Sequence, residues 1–455
     1  MKDMTDELAR ALTDLRHDET PPPLSERRVQ LRALEREIRA RAETIAAATD
    51  ADFGGRPRPE TLLTEVAMTI GAARQAARHL RRWARPARVV LPPHFWPSTA
   101  RIERVPLGLV GIIGPWNYPL QLSLVPLIAA IAGGNRAILH ASEYTPRTAH
   151  EIARIVEAAL PGRATALEPS PQTAAALAAA PLDGLFFTGS TATGRKVAQA
   201  AAENLVPTVL ELGGKSPALL RADADLDDSA RSIVAGKLLN AGQTCVAPDY
   251  ALVPRAALQP FVAALKTASA ALYPDPSGPD YAAIARPADR DRLACLLDGL
   301  ETVPLMAHPP APPRMGAVAV IDPPRDHALM QEEIFGPILP LIPYDTPQEA
   351  RDFVNARPCP LALYVYGRDT KAARAEAEAI RSGGAMINEA VIHVGIHQLP
   401  FGGAGDSGMG AYHGEEGFRA FTRPRSVMVA RPSLARLVRP PYGRNIERIV
   451  KSLIG

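Results

Sequence analysis

The sequence predicts an α/β protein whose centre is a parallel sheet covered by helices on both faces. Three observations predict it. Residues 109–212 alternate short apolar runs with helical patterns, and a second alternating block runs from about 212 to 400. Such alternation needs crossover helices, so the strands run parallel. Third, Asn117, Glu143 and Gly189 each fall just after a strand. Ligands on open α/β sheets bind beyond those strand ends.

The elements follow in order. Residues 24–50 and 60–83 place apolar positions at helical spacing between charges and read as long amphipathic surface helices. Residues 88–108 are extended, with prolines suited to edge strands. Then come strands at 109–113 (LVGII), 137–140 (AILH), 164–167 (ATAL), 184–189 (GLFFTG) and 208–212 (TVLEL). Between them lie helical stretches at 120–132, 146–160, 171–180 and 190–204, with Pro146 suited to a first helical turn. The C-terminal peptide RNIERIVKSLIG alternates basic and apolar faces. It reads as a surface or dimer-contact helix, with weak peripheral membrane contact as the other use.

Composition excludes several classes. A chain of 455 residues exceeds one ordinary core, so two or three domains are expected. A net charge of only +3, with scattered basic residues, implies no nucleic-acid surface. The three cysteines, Cys245, Cys295 and Cys359, form no CxxC pair. Neither a disulfide framework nor a metal site is expected, and a reducing, cytoplasmic setting is. The N-terminus lacks an apolar signal core, and the best candidate span, 122–134, is too short to cross a membrane and is expected to be broken by Pro126.

Four peptides could carry chemistry. NAGQTC sets Cys245 among small polar residues, where a nucleophile and a small buried hydrophobe both remain open. Cys295 lies in an apolar helical pattern and reads as core. LELGGKSP places Glu211 at a strand end before two glycines, where partial burial would suit a general base and solvation a mere turn acid. GPWNYP holds Asn117 between prolines, suited to an oxyanion donor or simply to turn geometry. FTGSTATGRK is a strand, a glycine turn and a helix start whose free N–H groups favour phosphate. Arg195 and Lys196 stand where a P-loop needs Lys and Ser/Thr, so a nucleoside triphosphatase is not expected.

PWNYP, FTGSTATG, LELGGKSP, NAGQTC, EEIFGP and LPFGGAGDSGMG occur in this order along the chain. Together they resemble the aldehyde dehydrogenase superfamily. CVAPDY, PLALYVYG and GMGAYHGEEGFRAF resemble its class 3 branch, and IAAATDADFGGRPRPET with NEAVIHVGIHQLPFGG resembles the bacterial coniferyl aldehyde dehydrogenases. The resemblance implies oxidation of an aromatic or medium-chain aldehyde to the acid, without metal. It makes Cys245 the nucleophile, Asn117 the oxyanion donor and Glu211 the base. It implies NAD, with NADP as an alternative, held by Trp116, His140, Glu143, Gly189, Ser190, Thr191, Gly194, Leu212, Glu333 and Phe335. Glu143 would meet the adenosine ribose, and His140 stands where the family usually has Lys. A neutral imidazole offers one donor, so weaker or pH-dependent cofactor binding is expected. The segment around 300–318 is short relative to the family.

The implied organisation is a Rossmann-type cofactor domain over 1–85 and 105–210 and a catalytic domain over 211–400. The chain returns to the cofactor domain at 401–424. A bridging arm over 86–104 and 425–436 would serve a homodimer, and 437–455 would be a tail helix. Two other readings stay in view: a coenzyme A-acylating relative, and a non-catalytic member that binds or scaffolds.

Overall fold

The computed structural model describes residues 6–16, 20–433, 439, 440, 442 and 444–454. The ends of the expected arm and tail at 434–438 and 455, and the first five residues, lie outside the described residues.

The first sheet has six strands in the order Gly408–Met409, Thr208–Leu212, Gly184–Gly189, Leu109–Ile113, Arg136–His140 and Ala164–Leu167. All pairs are parallel except the short edge strand Gly408–Met409. The chain winds outward from Leu109–Ile113 in one direction through Ala164–Leu167. It then crosses back to Gly184–Gly189 on the other side. That reversal opens a crevice at the C-terminal end of Leu109–Ile113. All five residues of this strand are buried, as a doubly covered strand requires.

Residues 213–216 carry the chain from Leu212 into a second sheet. Its order is Thr302–Pro304, Val318–Ile321, Ile338–Tyr344, Tyr250–Pro254, Pro217–Leu220, Ala362–Tyr366 and Gly384–Ile387, parallel apart from the first strand. Separate apolar cores cover the faces of the two sheets. A third, antiparallel sheet of Ala87–Val89, Thr99–Pro106 and Thr422–Val429 is largely solvent-facing.

Four local expectations change. The helix expected over 24–50 is two, Leu24–Ala40 and Ala42–Phe53, because Arg41 leaves helical geometry at φ −103°, ψ 9°. The one expected over 60–83 contains a π-helical stretch, Leu62–Ala67, between Arg58–Thr61 and Met68–Trp83. Such widened turns often mark functional walls, and Leu63 and Thr64 here face the main cavity. Cys295 is exposed at the end of helix Pro287–Cys295, not packed in a core. Only Leu293 of that helix is buried, so the helix lies on the surface and turns Cys295 outward. Pro126 does not break its stretch: it sits inside the continuous helix Pro119–Gly133, all of whose residues are buried, so packing on every side holds the helix together. No helix among the described residues is long and apolar enough to cross a membrane.

Candidate active site

A cavity of about 1170 Å³ lies where the C-terminal strand ends of the first sheet face the second. Cys245, Glu211 and Asn117 all line it.

Cys245 follows a left-handed turn. Asn240, Ala241 and Gly242 have φ of 52°, 51° and 78°. Two of the three carry a side chain there, which costs about 1 kcal/mol or more each. Packing allows only glycine at 242, since a Cβ there would lie 2.4 Å from the Gly336 carbonyl oxygen. The Gln243 side chain pins the loop. Its Nε2 donates to the Ala283 and Asn240 carbonyls, both at 2.9 Å, and its Oε1 accepts from the Ala285 N–H at 3.0 Å. Cys245 is part-exposed, toward the cavity. Its surroundings are not the electropositive setting expected of a reactive thiol. Burial, with the Glu333 and Glu211 carboxyls adding, pushes its pKa up to about 12.

Asn117 is buried on the loop before helix Pro119–Gly133. Its Nδ2 donates to the Gln243 carbonyl at 3.1 Å, and its carbonyl accepts from Asn240 Nδ2 at 3.1 Å and Arg56 Nη1 at 3.0 Å. The Tyr118 and Thr244 hydroxyls add a bond of 2.7 Å. The amide-bearing loop and the thiol-bearing loop are therefore stitched together. One amide N–H is committed to Gln243, and the second remains for a ligand.

Glu211 lies in strand Thr208–Leu212, opposite Gly408. It is buried, neither carboxyl oxygen has a hydrogen-bond partner, and burial raises its pKa well above the ordinary range. Burial thus favours the neutral form and makes the ionised form a stronger base than an ordinary carboxylate.

The crevice end of the cavity is lined by Trp116, His140, Glu143, Gly189, Ser190, Leu212, Glu333 and Phe335. Trp116 meets Phe335 edge-on, with centroids 5.5 Å apart. Phe335 takes φ 52° to reach that position. Glu333 lies against Gly213, where a Cβ would fall 2.0 Å from its Oε2. Burial and the neighbouring Asp249 push the Glu333 carboxyl up to about 8. Ser190 caps helix Thr191–Ala202, its hydroxyl accepting from the Thr193 N–H at 3.3 Å.

With this geometry in view, comparison with known proteins is decisive. The aldehyde dehydrogenase family model matches residues 19–427. The chain belongs to the aldehyde dehydrogenase family. It is an oxidoreductase that turns an aldehyde into the carboxylic acid. It is 41% identical, over 95% of its length and 93% of the relative, to a probable coniferyl aldehyde dehydrogenase of Pseudomonas aeruginosa. Among solved structures, the substrate-bound AldH of Staphylococcus aureus superposes with a TM-score of 0.93 at 34% identity, covering 99% of this chain and 100% of that one. An aldehyde dehydrogenase of Mycobacterium tuberculosis complexed with NAD+ gives 0.85 at 29% identity, covering 94% and 90%.

Within this aldehyde dehydrogenase, two expected crevice residues do not line the cavity. Thr191 turns its hydroxyl to the Asp406 carbonyl at 3.0 Å. Gly194 faces the sheet, where a Cβ would fall 2.4 Å from Leu212. Helical periodicity explains this, since Thr193, Lys196, Val197 and Ala200 share the face toward the cavity. The sequence reading missed these four. The i, i+3, i+4, i+7 spacing from Thr193 was a legible signal. His140 lines the crevice but is fully buried, its Nε2 engaged with the Ser170 backbone at 2.9 Å from the carbonyl and 3.1 Å from the N–H. Burial lowers its pKa, so it is a neutral wall and not a cation. The sequence reading also missed Arg56, Asn240 and Gln243, whose partners are distant in sequence.

Proposed function

We propose that the aldehyde this chain oxidises is an aryl aldehyde of the coniferyl type, with NAD as the preferred acceptor. The observation that carries the chemistry is the meeting of Cys245, Glu211 and Asn117 in one cavity that opens onto the crevice at the strand reversal.

Cys245 Sγ, its proton released to water in the open cavity, attacks the aldehyde carbon. The oxyanion formed is met by the second Asn117 Nδ2 hydrogen and the Cys245 N–H. One such donor is worth about 3 kcal/mol of barrier. When bound, the nicotinamide supplies the hydride acceptor that turns the hemithioacetal into a thioester. Glu211 then takes a proton from water, and the resulting hydroxide releases the acid from Cys245. A buried carboxyl without hydrogen bonds suits this proton transfer from water because nothing competes for its proton.

The crevice residues fit a dinucleotide. The Gly189–Ser190 turn would carry the pyrophosphate at the helix start. Glu143 would take the adenosine ribose hydroxyls, Glu333 the second ribose, and Trp116, Leu212 and Phe335 would border the nicotinamide. The Glu143 carboxylate disfavours a 2′-phosphate, which supports NAD. Lys196 lines the same cavity and supplies the cation that NADP would need. The structure solved with NAD+ supports the first choice.

Leu122, Val246, Val391, Val394, Phe401 and Tyr412 make the substrate wall apolar. That wall, with the resemblance to the Pseudomonas aeruginosa relative, supports an aryl substrate. A panel of cinnamyl, benzyl and straight-chain aldehydes, ranked by kcat/KM from reduced-nicotinamide absorbance, tests it. A straight-chain aldehyde ranked first would overturn the aryl assignment. Coenzyme A-dependent thioester formation would overturn the hydrolytic one, and no turnover on any aldehyde would favour a scaffold. The exposed three-stranded sheet supports a homodimer, since its apolar residues Val89, Met428 and Val429 face solvent.

A further inference from the structure

A buried ion pair stands behind the Asn117 amide, on the N-terminal segment of the chain. The Arg56 and Glu65 side chains are both fully buried, and Arg56 Nη1 lies 3.0 Å from Glu65 Oε1. The same Nη1 donates to the Asn117 carbonyl at 3.0 Å. The guanidinium is clamped between the Phe53 and Tyr118 rings, 4.7 Å from each centroid. Its Nε lies 3.5 Å from Glu60 Oε1. Glu65 reaches the next turn of the same loop, where its Oε2 accepts from the Leu120 N–H at 2.7 Å and the Gln121 N–H at 3.2 Å. It thereby satisfies two of the N–H groups left open at the start of helix Pro119–Gly133.

Removing either partner would leave a buried charge without its counterion, so the pair is costly to build and stiff once built. Its two ends grip the backbone on both sides of the short stretch that carries the Asn117 side chain. We propose that Arg56, held by Glu65, is a positioning residue that fixes the Asn117 amide against the thiol. This rests on the reading of Asn117 as the oxyanion donor. The physical basis is that an amide NH2 supplies its stabilisation only when aimed at the developing oxyanion. A shift of about 1 Å in such a group costs up to about 100-fold in rate.

A double-mutant cycle tests it. Steady-state kcat and the KM values for NAD and aldehyde are measured for the wild type, Arg56→Met, Asn117→Ala and the double variant, with melting temperatures alongside. Arg56→Met is expected to lower kcat about 10- to 100-fold while the KM for NAD stays within about twofold. In the Asn117→Ala background it should lower kcat less than about twofold, because the group it aims is already gone. Equal losses in both backgrounds would mean that Arg56 only holds the fold, and would overturn the proposal. Asn117→Ala with unchanged kcat would instead remove the reading beneath it, a result visible in that single variant. If Arg56→Met does not fold, Arg56→Lys carries the same cycle. It keeps the positive charge between Glu60 and Glu65, but its ammonium lacks the planar fork. A smaller kcat loss that again vanishes without Asn117 supports the proposal, and wild-type kcat in Arg56→Lys overturns it.

Discussion

Glu211→Gln separates the two halves of the reaction and reads the burial of Glu211 directly. Neither carboxyl oxygen has a hydrogen-bond partner, so the amide loses no bond that the neutral acid had. What changes is ionisation. Burial raises the folded pKa above the ordinary carboxylate value of 4.5. The unfolded chain therefore loses this proton first as pH rises. The native state is unpenalised below about pH 4.5, and stability falls until the folded pKa is passed. Glutamine has no such loss, so the variant should match the wild type in urea melts near pH 4 and exceed it near pH 8. Its first turnover should survive as a burst of reduced nicotinamide in stopped flow. Steady-state turnover should fall about 100- to 10,000-fold, the usual worth of a positioned base. Wild-type turnover should rise with pH as Glu211 ionises, and the variant's should stay flat. Unchanged steady-state turnover, or a variant no more stable than the wild type at high pH, would refute the reasoning.

Cys245→Ala should abolish the burst yet bind NAD normally by calorimetry, because the thiol makes no hydrogen bond on which the crevice depends. Gly213→Ala would put a Cβ 2.0 Å from Glu333 Oε2; displacing that carboxyl should raise the KM for NAD about tenfold, the effect of one lost hydrogen bond. Since burial lowers the His140 pKa, any histidine step in NAD affinity by calorimetry should fall below the ordinary value of about 6.5, and a step at or above that value would contradict the neutral wall. Val90→Asp, at a position 92% exposed beside the three-stranded sheet, should yield monomers by light scattering; a monomeric wild type would remove the homodimer proposal.

The linear order of residues determined the periodic parts. Strands such as 109–113 and 184–189 are legible because buried parallel strands read as continuous apolar runs bounded by glycine. The positions of Asn117, Glu211 and Cys245 were legible because each lies in a short peptide of distinctive residue types. Tertiary structure decided what no local pattern encodes. Cys295 and Cys245 are chemically alike, yet one faces solvent and the other a cavity, because burial depends on what packs against each helix and loop. His140 in a strand end reads as a donor, but its Nε2 is taken by Ser170, 30 residues away. Arg56 lies outside both helices expected from the sequence and nothing local pairs it with Glu65, nine residues on; only the approach of the 117–121 loop makes the two a buried clamp. Periodicity is set by the backbone repeat and shows in one dimension. Burial, and with it the charge state of each carboxyl, thiol and imidazole, is set by neighbours that arrive from distant parts of the chain.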